Sequence, residues 1–265
     1  ITDSLCTLEF EVHKPLYIWI LESLGLTNIP EETEFSRLNI TYNVMSKRIF
    51  KDLLNKNIVK SSDDPRLLTI SGLRRKGYTP ESIKEFCEKT GVTRRESVIS
   101  MDLLEECLRN NLNKVSNRKM GVIKPIKLTI INREDNTELV EIENNPENES
   151  YGKRMVEFTN DLWIESEDFS LNPDKKYNRL KIGGEVRLKG AYVIKAVDYI
   201  VDSNNNVIEV LCEYDPLTKS GMTIDRKIKG TIHWVSRTHG IEVEVRDYNR
   251  LFTKENVGSD RSEEH

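Results

Sequence analysis

The most informative stretch of this chain is Thr41-Tyr42-Asn43-Val44-Met45-Ser46-Lys47-Arg48. A polar approach leads into Met-Ser-Lys, and a basic residue follows it. On its own the tripeptide is weak evidence, and an ordinary surface lysine is the simpler interpretation of Lys47. Its neighbours carry more information. They are Phe35-Ser36-Arg37-Leu38-Asn39, Asp63-Asp64-Pro65-Arg66 and Ser71-Gly72-Leu73-Arg74-Arg75-Lys76-Gly77-Tyr78.

Length and composition indicate a water-soluble protein with one large or two medium domains. The chain has 265 residues, of which 37% are apolar and 32% are charged. No apolar run approaches the roughly 20 residues that a membrane span needs. Since no charged-then-apolar leader starts the chain, we expect a cytoplasmic protein without a membrane partner. The chain opens at Ile1 directly into an apolar segment, which is typical of the middle of a fold, so we expect a fragment.

The four cysteines, Cys6, Cys87, Cys107 and Cys212, are scattered along the chain. None of them forms a pair with the close spacing of a zinc or redox site. We therefore expect reduced thiols that act as small apolar residues, and no metal site.

Charge is distributed unevenly. Residues 44–120 hold 17 Lys and Arg against 10 Asp and Glu, whereas the rest of the chain holds 23 against 34. A basic middle in a protein of net charge −4 suggests that a polyanion contacts this part. The alternative is an ordinary solvated helical surface, and charge alone does not separate the two.

The first 115 or so residues are predicted to be mixed and mostly helical. Apolar residues at helical spacing indicate a helix over 15–24, with Leu16, Ile20, Leu24 and Trp19 on its apolar side. Thr79-Pro80-Glu81 is a helix start, since a hydroxyl cap, a proline and an acid follow one another. Its inner face would hold Ile83, Phe86 and Cys87, and Gly91 would end it in a left-handed turn. A further helix is predicted over 101–112, with a stripe of Leu104, Cys107, Leu108 and Leu112.

Beyond Lys119 short β-strands are predicted. Alternation indicates strands at 127–130, 138–142, 185–189, 192–201, 207–214, 227–235 and 241–246. The cluster Asp202-Ser203-Asn204-Asn205-Asn206 predicts a turn, and residues 144–150 are interpreted as a polar link between two β units. Many short strands with polar turns favour barrels or sandwiches over βαβ units. His233 and Trp234 are interpreted as core or rim residues and are given no role.

Taken together, these motifs resemble the glutaminyl-tRNA synthetases, a class I aminoacyl-tRNA synthetase family. The resemblance is collinear over nearly the whole chain. It runs from Ser4-Leu5-Cys6-Thr7-Leu8-Glu9-Phe10 through the motifs above to Asn178-Arg179-Leu180, Gly184-Glu185-Val186-Arg187-Leu188, Ala191-Tyr192-Val193-Ile194-Lys195-Ala196 and Gly230 to Ser236. The Ser4 to Phe10 stretch is similar to the glutaminyl rather than the glutamyl branch.

The resemblance implies a fold and an activity. The fold would be an α/β remnant of a Rossmann-like catalytic domain with a helical connector, followed by all-β anticodon-binding barrels. Residues 1–50 would end the catalytic domain, 51–117 would form the connector and 118–265 the barrels. Within the barrels, 143–230 would be distal, and 118–142 with 231–265 an incomplete proximal barrel. The activity would join glutamine to its tRNA through an aminoacyl-adenylate, with ATP and Mg²⁺.

The resemblance also implies roles for individual residues. Lys47 would stabilise the ATP phosphates as their charge develops, together with Met45 and Ser46, whose hydroxyl could hold the loop by local hydrogen bonds. Arg37, Leu38, Val44 and Arg48 would belong to the ATP site. Arg118, Arg179, Arg187 and Lys189 would read the splayed anticodon bases. Arg74, Arg75 and Lys76, with Arg94 and Arg95, would contact tRNA phosphates. Solvated surface charge is the alternative for each of these cations.

The chain departs from the family at several points. The other ATP motif, His-x-Gly-His, is missing, so we expect it upstream together with most of the glutamine pocket. This piece would then bind tRNA without charging it. Val12 replaces an Asp that reads the acceptor stem in the family, Lys189 replaces an Arg, and Asn178 replaces a basic residue. Two other interpretations stay open, a glutamyl-tRNA synthetase of the related branch and a non-catalytic tRNA-binding module.

Overall fold

The computed structural model describes residues 2–257, which fall into two compact units. Among the described residues, the first consists of 2–113 and 247–257, and the second of Lys114–Arg246. The expected succession of a mixed α/β part and a β-rich part is confirmed at this coarse level.

The first unit contains short strands and five helices within its described part. They are β1 (Asp3–Thr7), α1 (Lys14–Ser23), β2 (Glu31–Phe35), β3 (Asn39–Ile40), α2 (Lys47–Asn55), α3 (Ile70–Lys76), α4 (Pro80–Thr90), β4 (Val98–Ile99) and α5 (Met101–Val115), with a 3-10 helix at Leu8–His13. Strand β1 pairs with β2 in parallel, and β3 pairs with β4 in parallel. Parallel pairing is the rule in α/β folds, where helices cover the sheet.

The predicted helices form, but the apolar side of α1 is exposed, and the prediction that Cys87 belongs to the inner face of α4 is wrong. In α1 the apolar residues Leu16, Trp19 and Ile20 are exposed, and no residue of this helix is buried by the described part of the chain. In α4 the buried residues are Ser82 and Phe86, whereas Cys87 is exposed. Because successive helix residues lie about 100° apart, Cys87 points a quarter turn away from the Phe86 face.

The predicted cap of α4 is confirmed. The Thr79 hydroxyl accepts the backbone N–H of Ser82 at 3.2 Å, and the helix ends at Gly91 with φ of +67°. A positive φ is a conformation that glycine adopts without steric cost. The inner faces of α3, α4 and α5 then pack against β3 in one core, which includes Phe86, Met101, Leu104 and Cys107.

A buried ion pair holds the segment between α2 and α3. The Asp64 carboxylate accepts from Arg66 through both oxygens, at 2.9 Å from Nε and 2.7 Å from Nη2. Arg66 also donates to the carbonyl of Ile58 at 2.8 Å. The hydrogen bond from Arg66 holds the pKa of Asp64 below its usual value despite burial. Gly72 lies directly on this segment, since a Cβ there would come within 2.7 Å of the Asp64 carbonyl oxygen.

The second unit is a curled sheet with one additional hairpin. Its strands are β5 (Pro125–Ile130), β6 (Glu138–Glu143), β7 (Lys153–Phe158), β8 (Asp161–Glu165), β9 (Glu185–Leu188), β10 (Val193–Val201), β11 (Val207–Asp215), β12 (Thr231–Ile232) and β13 (Val235–Ser236). Seven of them form one sheet in the order β12-β9-β10-β11-β5-β8-β13, and β6 pairs with β7.

Two residues explain why this sheet curls. Strand β12 lies at one edge of the sheet and β13 at the other, yet only His233 and Trp234 separate them along the chain. A residue spans at most about 3.6 Å, so the two edges must come close together. Trp234 is fully buried in the core between them and donates its indole N–H to the carbonyl of Lys189 at 3.0 Å. The interpretation of Trp234 as a core or rim residue is therefore confirmed, and the structure places it in the core.

Several strand predictions need correction. Residues 227–235 form only the short strand β12 and the start of β13, and residues 241–246 form no strand, since nothing in the described chain pairs with them. Residues 144–150 do not join two β units. They lie in the loop between β6 and β7, where the N–H of Asn144 donates to the carbonyl of Gly152 at 3.0 Å. Strands β7 and β8 were not predicted.

Replacing Trp234 tests the curled sheet. Trp234→Ala should lower the free energy of unfolding by about 3–5 kcal/mol, because it removes a large fully buried side chain and leaves a cavity. Trp19→Ala is the matched control, since the side chain of Trp19 is 63% exposed, and it should change stability little. Urea unfolding followed by circular dichroism measures both. Equal effects of the two variants would contradict the role given to Trp234.

Replacing Asp64 tests the buried ion pair through its pH dependence. Because the pKa of Asp64 is lower in the folded state, its ionised form contributes stability above its usual pKa, and this contribution is lost as the pH falls through the folded-state value. Asp64→Asn should therefore cost about 1–3 kcal/mol at pH 7 and progressively less at acid pH. Urea unfolding of the parent and the variant at several pH values measures this, and a difference independent of pH would contradict it.

Candidate functional site

The Met45–Lys47 loop follows a buried, hydrogen-bonded residue, and its lysine side chain is exposed. Thr41, which precedes it, is buried, donates its N–H to the carbonyl of Ile99 and accepts the N–H of Met101 on its hydroxyl, both at 3.0 Å. Met45 and Lys47 are exposed. The Lys47 ammonium makes no hydrogen bond or ion pair with the residues that the structure describes. It is therefore available to an anionic ligand.

Lys47 is the first residue of α2, and this places it at the positive end of a helix. Ser46 occupies the N-cap position with an extended backbone, and its carbonyl accepts the N–H of Phe50 at 3.0 Å. The Ser46 hydroxyl makes no cap hydrogen bond, so the local side-chain bond expected of it is absent at the cap. Val44 is half-buried and Arg48 is exposed. Backbone N–H groups and two cations at a helix start suit a phosphate.

Sequence reasoning missed a segment that supports this loop from far along the chain. Tyr42 has a φ of +59°, which is rare for a residue with a side chain. Its N–H donates to the carbonyl of Glu255 at 2.7 Å, and the Arg250 guanidinium lies 4.2 Å from its ring centroid. Arg250 also donates to Asp102 at 2.6 Å. We call residues 247–257 the return segment, since they belong to the first unit although they follow the second.

Arg37 and Leu38, two of the residues expected at the ATP site, differ in their surroundings. Arg37 is exposed, with its Nη1 4.0 Å from Glu9 Oε1. Leu38 is half-buried and packs against the core of α3, α4 and α5. Arg37 can therefore meet a ligand, whereas the Leu38 side chain contributes to packing.

The basic stretch Arg74-Arg75-Lys76 forms the last turn of α3. All three residues are exposed, and Gly77 ends the helix with φ of +102°. Arg75 forms an ion pair with Asp63, with Nη1 and Oδ2 3.2 Å apart. Cations at a helix C-terminus also stabilise the helix dipole, so their position alone does not require an RNA partner.

Of the four expected anticodon readers, the three arginines have side-chain contacts with protein groups that use part of their hydrogen-bonding capacity, whereas Lys189 has a contact through its backbone. Arg118 pairs with Glu147 at 2.8 Å. Arg187 donates through Nη1 to the carbonyl of Thr218 at 2.7 Å and to that of Ala191 at 3.3 Å. Lys189 follows β9, and its backbone carbonyl accepts the Trp234 indole. The fourth reader is Arg179, whose Nη1 lies 2.8 Å from Asp168 Oδ1.

Arg179 lies in a basic groove of about 440 Å³ that the sequence did not reveal. Six of its described lining residues are cations, namely Lys175, Arg179, Lys181, Lys195, Lys227 and Lys229. Glu185 also lines the groove, but it is paired with Arg226 at 2.9 and 3.1 Å. These cations come from separate loops and strands, so no continuous sequence motif predicts the groove. Arg187 and Lys189 are not among the residues that line this groove.

Behind Arg179 lies a cluster of titratable groups. Burial raises the pKa of Asp168 above its usual value, although Arg179 and His233 oppose this shift. Glu165 behaves differently. Burial favours its neutral form, but the N–H groups of Ile123 and Lys124 and the nearby His233 lower its pKa overall. Burial also raises the pKa of Tyr177 to about 12, so this phenol stays protonated at neutral pH.

Within residues 2–257 the structure contains no group of three or more His, Cys, Asp or Glu side chains that could hold a metal ion. Across the same residues, no helix combines the length and apolar character required to cross a membrane. All four cysteines are free thiols, and burial raises the pKa of Cys107 and Cys212.

Comparison with protein families gives a consistent result along the chain. Residues 1–114 match the catalytic domain of the class I tRNA synthetases for E and Q. Residues 116–215 and 231–264 match two anticodon-binding domains of the same group.

Curated relatives agree. The chain is 52% identical over 258 residues to a glutamine–tRNA ligase of Rhodopirellula baltica, with 97% of this chain and 43% of the relative covered. It is 50% identical over 253 residues to that of Clostridium perfringens, covering 95% and 46%, and 48% identical over 261 residues to that of Vibrio cholerae, covering 98% and 47%. The chain thus spans a little less than half the length of these relatives.

The resemblance drawn from the Met45–Lys47 region is therefore confirmed over nearly the whole sequence. This chain belongs to the class I tRNA synthetases of the glutamate and glutamine group, and it is similar to their glutamine–tRNA ligases.

Proposed function

We propose that this chain is part of an ATP-dependent ligase that attaches glutamine to its tRNA through an aminoacyl-adenylate. The observation that carries the proposal is the identity of 48–52% with glutamine–tRNA ligases over at least 95% of the chain. Glutamine, ATP and glutamine tRNA are the substrates in this proposal. It also places the chain in the cytoplasm, where tRNA is charged.

Lys47 is the catalytic residue of this proposal. When the glutamine carboxylate attacks the α-phosphate, negative charge accumulates on the departing pyrophosphate. An exposed ammonium at the start of α2 can approach those oxygens and stabilise them in the transition state more than in the ground state. Arg48 and the N–H groups at the helix start add positive potential. Met45 and Ser46 shape the loop, and Arg37, Leu38 and Val44 border the nucleotide.

Mg²⁺ enters the proposal as the ion that accompanies ATP phosphates and neutralises part of their charge. Magnesium usually keeps several waters and is held by substrate phosphates together with one or two carboxylates. Such an ion would be carried mainly by ATP, and the work of Lys47 and its neighbours would be to bind and orient the phosphates.

The domain assignment is part of the proposal. Residues 1–50 would end a Rossmann-like catalytic domain, which the parallel pairing of β1 with β2 supports. Residues 51–117 would be the helical connector that contains α3, α4 and α5. Residues 118–265 would be the anticodon-binding barrels. The curled sheet supports this assignment up to residue 246, whereas the return segment belongs to the first unit. This sheet takes strands from both proposed barrels, so the divisions at 143 and 230 run through one common core.

RNA binding follows from the exposed cations. In the basic groove Arg179 and five lysines can hold phosphates and bases of a single strand, with Arg118, Arg187 and Lys189 as further readers. Arg74, Arg75 and Lys76 would contact tRNA phosphates, which gives affinity with little sequence choice.

The identity of the amino-acid substrate tests the proposal. A full-length synthetase carrying this chain should catalyse ATP–pyrophosphate exchange with glutamine in the presence of its tRNA. Exchange with glutamate alone would instead assign the chain to the glutamyl branch. RNA binding without exchange for either amino acid would indicate a binding module.

Lys47→Ala should lower the rate of adenylate formation about 10²–10³-fold in that enzyme, because one charge that stabilises the transition state is lost. Affinity for tRNA should change little. Lys51→Ala is the matched control, since Lys51 is an exposed lysine of the same helix one turn further on, and its exchange rate should resemble the parent's. Unchanged exchange kinetics in Lys47→Ala would remove Lys47 from the mechanism.

Arg118→Ala should weaken binding of glutamine tRNA by about 1–3 kcal/mol and reduce discrimination against altered anticodons, since a base-reading donor is lost. Lys227→Ala, in the basic groove, should weaken the binding of all RNAs by a similar factor. It should also reduce the slope of log affinity against log salt concentration by about one. Fluorescence anisotropy with labelled RNA at several salt concentrations measures both. An equal loss for all RNAs in Arg118→Ala would make Arg118 a phosphate contact.

A further inference from the structure

The partner of Arg179 is an unusual carboxylate. Asp168 is 4% exposed, and its Oδ1 pairs with Arg179 Nη1 at 2.8 Å. Its other oxygen, Oδ2, is buried and has no hydrogen-bond partner among the described residues. The titratable or charged groups around Asp168 are Arg179, His233 and Glu165, and Tyr177 lies close by.

Asp64 provides a comparison within the same chain. It is similarly buried, but both of its oxygens accept from Arg66, and its pKa is lowered. Asp64 therefore stabilises the fold in its ionised form. Asp168 has a single cation partner whose side chain is 52% exposed, and its pKa is raised. By linkage, a carboxyl whose folded-state pKa is raised loses stabilising effect as the pH rises through that value. Ionisation of Asp168 therefore does not stabilise the fold in the way that ionisation of Asp64 does.

Hydrogen bonds connect the two segments that carry the pair. The Leu180 N–H donates to the Asp168 carbonyl at 2.9 Å, and the Ser170 N–H donates to the Leu180 carbonyl at 3.1 Å. The Tyr177 hydroxyl donates to the Glu167 carbonyl at 3.1 Å. The backbone at Arg179 is thus held at the wall of the basic groove. Its guanidinium is paired with Asp168 through Nη1. Nε and Nη2 make no hydrogen bond with the described residues.

We propose that Asp168 is a positioning residue for RNA recognition, whose buried carboxylate holds the Arg179 guanidinium at the basic groove so that its remaining N–H groups meet the edge of an unpaired base. This inference rests on the proposed function. An arginine side chain that is ordered before binding loses less entropy on binding than a mobile one. A tether through Nη1 leaves a pair of parallel donors, which is the arrangement that recognises a base edge by two hydrogen bonds.

Asp168→Asn tests the proposal, since asparagine keeps the size of the side chain and removes its charge. The probes are the anticodon stem-loop of glutamine tRNA and the same loops with single anticodon substitutions, bound to the full chain. Affinity for the cognate loop should fall about tenfold, and discrimination between loops should fall with it. Arg179→Ala should have a similar effect, and the double variant should bind no worse than Arg179→Ala. Asp174→Asn, an exposed carboxylate of the same region, should bind within about twofold of the parent.

The stability of Asp168→Asn distinguishes a positioning role of Asp168 from a structural one. The free energy of unfolding of Asp168→Asn at pH 7 should equal or exceed that of the parent, because one oxygen of the buried carboxylate has no partner and the other pairs only with a half-exposed cation. An unstable or unfolded Asp168→Asn would overturn the proposal, as would parent-like binding of Asp168→Asn when Arg179→Ala loses discrimination. In the latter case the proposed role of Arg179 in anticodon recognition would stand. Parent-like discrimination in Arg179→Ala would contradict that role itself, and the inference about Asp168 with it.

Discussion

The burial of Trp234 is the constraint on which the β-rich unit depends. Thr231–Ile232 and Val235–Ser236 lie at opposite edges of a seven-stranded sheet, and the two residues between them must bring those edges together. Trp234 fills the space that this closure creates, where it packs edge-on against Phe158 with ring centroids 5.2 Å apart. Its indole N–H is satisfied by the Lys189 carbonyl, so the polar atom of a buried ring is not left unpaired. Lys189, one of the expected anticodon readers, is thereby tied to the core through its backbone while its side chain remains partly exposed.

The cations of the chain fall into two groups according to what neutralises them. Arg66 and Arg226 are engaged by carboxylates at two or more points, and Arg187 donates to two backbone carbonyls. Arg66 and Arg226 hold the fold and have limited capacity for a ligand, whereas Arg187 makes these contacts through Nη1 alone. Lys47 and the lysines of the basic groove are exposed, and such cations are the ones that a polyanion can reach. A list of basic residues taken from sequence mixes both groups, because only the fold shows which acids and carbonyls lie beside each of them.

The parts that sequence predicts well are governed by local interactions. The cap at Thr79 and the hairpin around Asp202–Asn206 form as expected, since hydroxyl capping and Asx turns need only residues a few positions apart. Sequence-based predictions fail where residues far apart in the chain determine whether a segment is paired or buried. Residues 241–246 alternate well but have no described partner strand, and the stripe of α1 has no described surface to cover it. The family could be identified from ordered motifs, but the basic groove and the buried Asp168 could not, since their members come from segments that only the tertiary fold brings together.

The return segment shows the same dependence at the candidate ATP site. Tyr42 holds a left-handed backbone three residues before Met45, a conformation that costs free energy unless other contacts enforce it. Those contacts come from residues about 200 positions later in the chain, where Glu255 accepts the Tyr42 N–H and Arg250 covers its ring. Leu251 and Phe252 pack beside Leu53 of α2, the helix that Lys47 begins. The loop that a short sequence motif identifies is therefore shaped by a segment that the chain reaches only after it has passed through the β-rich unit. A change in that segment can alter the loop without touching any residue of the motif.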